Sequence, residues 1–249
     1  IGRHLVSELC ARGDDVAVLV RPTSDRSVFE GLDVTFVAGD ILDGSSYEEA
    51  VAGADVVFHL ASLLKKPWSP AFRSVHVEGT AAVAHACGQA PSPPVLVLVS
   101  SLAAAGPTAN GEVRDESMAP EPVSIYGRAK RDAERAAMAF APRVPVTIVR
   151  PPAVFGPGDR TLLELFRTAA RGVHWIPGNG DAGMSLVHVQ DLARLVAAAG
   201  AELFRDRVPE PALLGRNTPV RAHEAADLST VVMVGSIESD GELVGRGRQ

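Results

Sequence analysis

The sequence predicts an α/β protein built on a doubly wound parallel sheet. Three observations carry that expectation: continuous apolar runs of strand length, helical segments between successive runs, and 249 residues of which 46% are hydrophobic, enough for one large core.

Taken in order, Leu5, Val6, Leu9 and Cys10 recur at helical spacing within 3–12, and Gly13 follows as a C-terminal cap. VAVLV (16–20) reads as a strand buried on both faces, and VTFVAGD (34–40) as the next. Ser45 and Glu48 have the spacing of a capping box ahead of a helix over YEEAVAGA. DVVFHLA (55–61), PVLVLVSS (94–101) and PVTIVRP (145–151) read as strands, separated by helices over 75–88 and 124–141. Such alternation demands right-handed crossovers. Beyond Pro151 the rhythm loosens, leaving SLVHV (185–189) and a helical stretch over 190–204.

Composition narrows the function. A net charge of −6 and scattered arginines give no footprint for a polyanion, so no nucleic-acid partner is expected. No run approaches the length of a membrane span and no basic-apolar leader opens the chain, which predicts a cytoplasmic protein with no membrane partner. Cys10 and Cys87 lack disulfide or metal-ligand spacing, the seven histidines show none either, and no metal is expected.

Only three of the 24 basic residues are lysines: Lys65, Lys66 and Lys130. Lys130 stands four residues after Tyr126 in YGRAK, on a predicted helix, so the two side chains share a face. A cation beside a phenol favours phenolate, lowering the tyrosine pKa toward the range of a general acid/base. Ser100 and Ser101 end an apolar strand, and ligands of open parallel sheets bind at the carboxyl ends of strands. A serine there can donate to a substrate oxygen, and equally can bond backbone.

Ser101, Tyr126 and Lys130, with RPPAVFGPGD (150–159) and VHVQDLARL (187–195), resemble the extended short-chain dehydrogenase/reductase family, which includes the NAD-dependent epimerase/dehydratases. The resemblance runs from residue 1 to about residue 200. It implies a Rossmann-like fold in which Tyr126 is the acid/base, Lys130 binds the nicotinamide ribose and lowers the tyrosine pKa, and Ser101 orients the substrate oxygen. It also implies that Asp40 and Ile41 flank the adenine, that Leu60, Ala61 and Ser62 line the pyrophosphate and ribose side, and that Pro151 and Val154 contact the nicotinamide. The cofactor is NADP or NAD. Arg21, where NAD-preferring relatives carry an acidic residue, favours NADP through pairing with a 2′-phosphate. The implied division is a nucleotide-binding domain over 1–155, substrate-side segments over 156–204, and an unassigned tail over 205–249, in a protein that takes a small-molecule substrate and allows a homodimer.

Two departures stand out. Where the family usually has asparagine, VHVEGT carries His76, which bears on the hydrogen bonding that steadies the active-site helix. Aligned to the family turn, Gly2 is its third glycine, so the first strand and the first two glycines lie before residue 1. That leaves a central gap in the sheet, for which TVVMVG (230–235) is a candidate replacement strand. The leading expectation is hydride transfer on a secondary alcohol or ketone. A nucleotide-sugar epimerase or dehydratase would use the same residues, with Arg160, Arg167, Arg171 and Arg194 available for a diphosphate or simply solvated. A non-catalytic dinucleotide-fold remnant is the alternative of another class.

Overall fold

The computed structural model describes residues 1–64, 67–108, 113–159, 162–172, 183–207 and 228–233. The predicted α/β architecture is present as a six-stranded, wholly parallel sheet with a separate parallel pair. In chain order the elements are α1 (Gly2–Ala11), β1 (Asp15–Val20), β2 (Thr35–Ala38), α2 (Glu48–Ala52), β3 (Val56–His59), α3 (Pro70–Arg73) running into a π-turn (Ser74–Glu78), and α4 (Gly79–Gln89). They continue with β4 (Val95–Val99), α5 (Leu102–Ala105), α6 (Ile125–Met138), β5 (Val146–Val149), β6 (Ala153–Phe155), α7 (Leu163–Ala170), β7 (Leu186–His188), α8 (Val189–Arg207) and β8 (Ser229–Met233).

The sheet order is β2-β1-β8-β3-β4-β5, with β6 and β7 forming the separate pair. The sequence leaves a gap between β1 and β3. β8 fills it, parallel to both neighbours, with Ala17 and Val57 both opposite Val231. Two aspartates hold its entry: the Ser229 amide donates to Asp55 Oδ2 (3.0 Å) and the Leu228 amide to Asp14 Oδ1 (3.4 Å). Backbone bonds from Asp15 to Leu228 and from Asp55 to Ser229 continue the ladder. Residues 234 and 235 of the predicted run lie outside the described residues.

Each sheet face buries its own core. Leu5, Val6 and Leu9 of α1 and Leu192 and Val196 of α8 pack on Val16, Val18, Val56, Phe58 and Val97. On the other face Tyr47, Val51, Val83, Cys87 and Ala137 cover Leu19, Val57, Leu96 and Leu98. The period of two sends Val232 of β8 into the first core and Val231 and Met233 into the second. Strands covered on both faces explain the unbroken apolar runs.

Local details differ from the expectation where a nearer partner wins. No capping box forms at Ser45, whose hydroxyl bonds Asp43 Oδ1 (2.6 Å); a 3-10 turn over Gly44–Ser46 precedes a short α2 instead. The helix expected over 75–88 begins as the π-turn. Gly13 does end α1, at φ 85° with its amide on the Cys10 carbonyl. Among the described residues no helix is long and apolar enough to cross a membrane.

Candidate active site

Because every strand of the main sheet points the same way, the segments leaving their carboxyl ends gather along one edge. Arg21 follows β1, Asp40 follows β2, Leu60–Ser62 follow β3, Ser100 and Ser101 follow β4, and Pro151 lies just past β5. Helix α1 runs back against this direction, which brings Gly2 at its start to the same edge, where His4 Nε2 bonds the Pro157 carbonyl (2.9 Å).

Helix α6 delivers the tyrosine and lysine. Ser124 caps it, its hydroxyl accepting the Gly127 amide (2.9 Å), and Tyr126 sits in the first turn with Lys130 one turn on. Gly127 allows α6 to approach α5 closely, since a Cβ there would collide with the Ala103 carbonyl oxygen. Gly127→Ala is expected to cost about 2 kcal/mol, roughly 4–8 °C in Tm, and to displace Tyr126; a thermal melt checks it.

Ser101 caps α5, its Oγ accepting the Ala103 amide (3.2 Å). Ser101 and Ser62 lie beside the Tyr126 phenol, where their hydroxyls favour its ionised form. Lys130, 4% exposed, donates to the Val99 carbonyl (3.1 Å), with its Nζ 6.0 Å from the Tyr126 ring centroid. Burial lowers this ammonium to about 8 against the opposing pull of Glu134. It also pushes the Tyr126 phenol up, a rise that the two serines only partly offset. The sequence suggests a phenol lowered by its lysine; in the folded chain desolvation is the largest cause and raises it.

A buried network fixes α6 to the sheet. Arg150, at the end of β5, grips Glu134 in bidentate fashion (2.9 and 2.7 Å), and the Ser100 hydroxyl donates to the same carboxylate. Glu134 lies one turn beyond Lys130, so this clamp sets the height of both catalytic candidates over the strand ends. Sequence reading missed it, although i, i+4 spacing from Lys130 was a usable signal.

Sequence reading also missed the role of the π-turn. His76, 1% exposed, bonds the Phe72 carbonyl through Nδ1 (2.7 Å) and Ser62 Oγ through Nε2 (2.9 Å), and meets the Tyr126 ring edge-on at 6.0 Å. Ser62, expected on the pyrophosphate side, is thereby tied to the π-turn. Behind it His59 Nε2 bonds Thr80 Oγ1 (2.9 Å), whose hydroxyl donates to the His76 carbonyl (2.6 Å). Desolvation lowers His59 to about 3 and His76 to about 4. Unfolded, both rings would take a proton near 6.5, so the unfolded chain binds more protons below that pH. Stability is therefore expected to fall as pH drops from 6.5 toward 4, by roughly 3 kcal/mol per ring. Urea midpoints between pH 7 and 4 check this, and a flat profile would contradict it.

The remaining candidates occupy mixed positions. Arg21 is half-buried, its amide bonded to Ser24 Oγ (3.1 Å), and its guanidinium makes no ion pair among the described residues. Asp40 accepts the Leu42 amide (3.0 Å) in a turn open to the edge. Ile41 is buried against Gly79, so its side chain is chiefly core packing. Leu60 joins its amide to the Met233 carbonyl, and Ala61 is buried. The Pro151 carbonyl accepts the Leu102 amide, and Val154 packs half-buried on the main core. Arg167 and Arg194 pair, in exposed positions, with Glu164 and Asp191 on their own helices, and Arg160 lies outside the described residues. No cluster of three metal-ligating side chains occurs among the described residues.

A family model for the NAD dependent epimerase/dehydratase family matches residues 1–215. The chain belongs to that family. Among relatives of this epimerase/dehydratase chain, the ceramide reductase of Caulobacter vibrioides is 34% identical over 198 residues, covering 80% of this chain and 57% of the relative. A human sterol-4-alpha-carboxylate 3-dehydrogenase, decarboxylating, is 29% identical over 216 residues, 83% of this chain and 56% of the relative. The chain thus spans a little over half the length of the curated relatives it matches. Among solved structures, the UDP-glucose 4-epimerase of Thermus thermophilus in complex with NAD superposes with a TM-score of 0.67 at 26% identity, over 80% of this chain and 70% of that one. Sheet, strand-end edge and family membership agree.

Proposed function

We propose that the protein is a nicotinamide-dependent oxidoreductase that interconverts a secondary alcohol and its ketone. The observation that carries this reading is the convergence of Ser101, Tyr126 and Lys130 at the carboxyl edge of the sheet, with two serines beside the phenol and a desolvated ammonium one helical turn behind it. Lys130 fits a dinucleotide ribose: the Val99 carbonyl is its one hydrogen-bond acceptor among the described residues, which leaves further N–H donors for ribose hydroxyls. Arg21, Asp40 and Ser62 add polar groups along the same edge. The bound nicotinamide supplies or accepts the hydride.

The chain's own residues do the rest. Ser101 donates to the substrate oxygen and fixes the carbonyl against the phenol. In reduction Tyr126 gives its proton to the oxygen as negative charge develops there, and in oxidation it takes the hydroxyl proton. Lys130 stabilises the phenolate that forms. The Glu134–Arg150 clamp keeps α6 from drifting, which matters because a misplacement near 1 Å can cost about 100-fold. Turnover of a ketone with a deuterated nicotinamide tests the assignment: deuterium on the product carbon supports it, and product without label overturns it.

The reductase and dehydrogenase relatives favour this reading over a nucleotide-sugar epimerase. So do Arg167 and Arg194, which are engaged by acids on their own helices rather than gathered for a diphosphate. NADP is the preferred cofactor, held by Arg21 at its 2′-phosphate. Arg21→Asp is expected to weaken NADPH binding at least tenfold and to leave NADH within a few-fold, as read by calorimetric titration. Equal losses for both would remove Arg21 from that role.

A further inference from the structure

We propose that Arg150 and Ser100 are positioning residues for Lys130: by claiming the Glu134 carboxylate they withhold it from the lysine, whose ammonium stays on the Val99 carbonyl and open to a ligand. This rests on the assignment of Lys130 to the dinucleotide ribose and adds to it the reason that the cation is not quenched by its own helix.

Helix geometry alone would pair the two. Lys130 and Glu134 stand four apart on α6, the spacing at which opposite charges meet, and both are 4% exposed, where little water screens the attraction. Yet Lys130 Nζ donates to the neutral Val99 carbonyl (3.1 Å), and the ion pair that Glu134 makes among the described residues is with Arg150. Glu134 Oε1 accepts Arg150 Nε (2.9 Å) and the Ser100 hydroxyl (2.5 Å), while Oε2 accepts Arg150 Nη2 (2.7 Å). Three donors converge, so the carboxylate is ionised and its charge is matched by a guanidinium. The end of β4 sorts the two charges. The Val99 carbonyl takes the cation, and the side chain of the next residue, Ser100, takes the anion.

The consequence falls on Lys130, which is left in a desolvated place without a carboxylate of its own. Burial lowers its ammonium, and Glu134, although already matched, still pulls the other way. With Arg150 gone the carboxylate would be buried and unmatched, and the cation one turn back on the helix is Lys130. The other titratable groups around the ammonium among the described residues are Tyr126 on α6, with its ring centroid 6.0 Å from Nζ, His76 on the π-turn and His59 at the end of β3. Burial keeps both imidazoles neutral and the phenol protonated near pH 7, so none of the three brings a negative charge. Glu134 is the carboxylate whose charge reaches Lys130, and Arg150 decides how much of it does.

The first readout needs no cofactor. The chain has three lysines, so with isotopically labelled ε-carbons Lys130 is assigned as the resonance lost in Lys130→Arg, and its chemical shift against pH follows the ammonium. Lys130 is expected to titrate at about 8 in the wild type. In Arg150→Met the freed carboxylate stabilises the cation, and the titration is expected about one unit higher. Adding Glu134→Gln is expected to bring it back to within about half a unit of wild type, although the clamp stays broken. Arg150→Gln, which loses the charge but keeps an amide donor, is expected to shift the same way by less, and serves where Arg150→Met does not fold. The second readout is calorimetric titration with NADPH, whose affinity is expected to fall about tenfold in either Arg150 variant and to recover when Glu134→Gln is added. A Lys130 titration that does not rise without Arg150, or a rise that persists after Glu134→Gln, overturns the proposal. Should the wild type bind no dinucleotide, the ribose reading fails while the lysine titration still decides the part played by Arg150.

Discussion

Replacing Tyr126 with phenylalanine is expected to lower kcat by about 10²- to 10⁴-fold while leaving dinucleotide affinity within a few-fold of wild type. The substitution removes one oxygen and keeps the ring, so the edge contact with His76 and the seat in the first turn of α6 survive. What is lost is the group positioned to exchange a proton with the substrate oxygen, and Ser101, which can orient that oxygen, has no means of replenishing the proton. Lys130 cannot substitute, because its Nζ is directed to the Val99 carbonyl and lies 6.0 Å from the ring centroid. Steady-state kinetics alongside calorimetric titration separate the two effects. Turnover within tenfold of wild type would remove Tyr126 from its assigned role.

Val232→Asp is expected to abolish cooperative folding. Val232 is 0% exposed in β8, packed into the core beneath α1 and α8, with β1 on one side and β3 on the other. A carboxylate there has no partner, and burying it costs several kcal/mol even when it is forced to take a proton. Loss of β8 itself would strip two neighbouring strands of their hydrogen bonds at once. Against a total stability of about 5–15 kcal/mol for a domain, the combined loss leaves little. Val232→Ala, which only shortens the side chain, is expected to cost roughly 1.5–3 kcal/mol and to melt cooperatively. Thermal denaturation followed by circular dichroism distinguishes them, and an Asp variant that melts like wild type would mean that β8 does not complete the sheet.

The parallel sheet was legible because its strands are covered on both faces. Val95–Val99 and Val56–His59 are buried at every position, and such burial writes itself into the sequence as an unbroken apolar run. Tyr126 and Lys130 were legible for a different reason: a helix converts a spacing of four into a shared face. β8 was readable as a strand, but its place between β1 and β3 depends on pairings more than 170 residues apart, including Asp55 with Ser229. No local pattern encodes those. Contacts made across a turn were equally hidden. Ser62 and His76 stand fourteen residues apart and meet only because α3 and the π-turn fold the chain back. The upward shift of Tyr126 was hidden because its largest cause is burial, which a spacing of four does not display. The capping box failed on a smaller scale, since Asp43 offered the Ser45 hydroxyl a closer acceptor.

The central claim is that the strand-end edge of this chain binds a nicotinamide dinucleotide against Tyr126 and Lys130. Calorimetric titration of the full chain with NADPH and NADH measures it most directly. Saturable binding of NADPH well below one millimolar, weaker for NADH and reduced in Lys130→Met, is the predicted result. No saturable binding of either dinucleotide at millimolar concentration would contradict it and leave the chain a dinucleotide fold without its ligand.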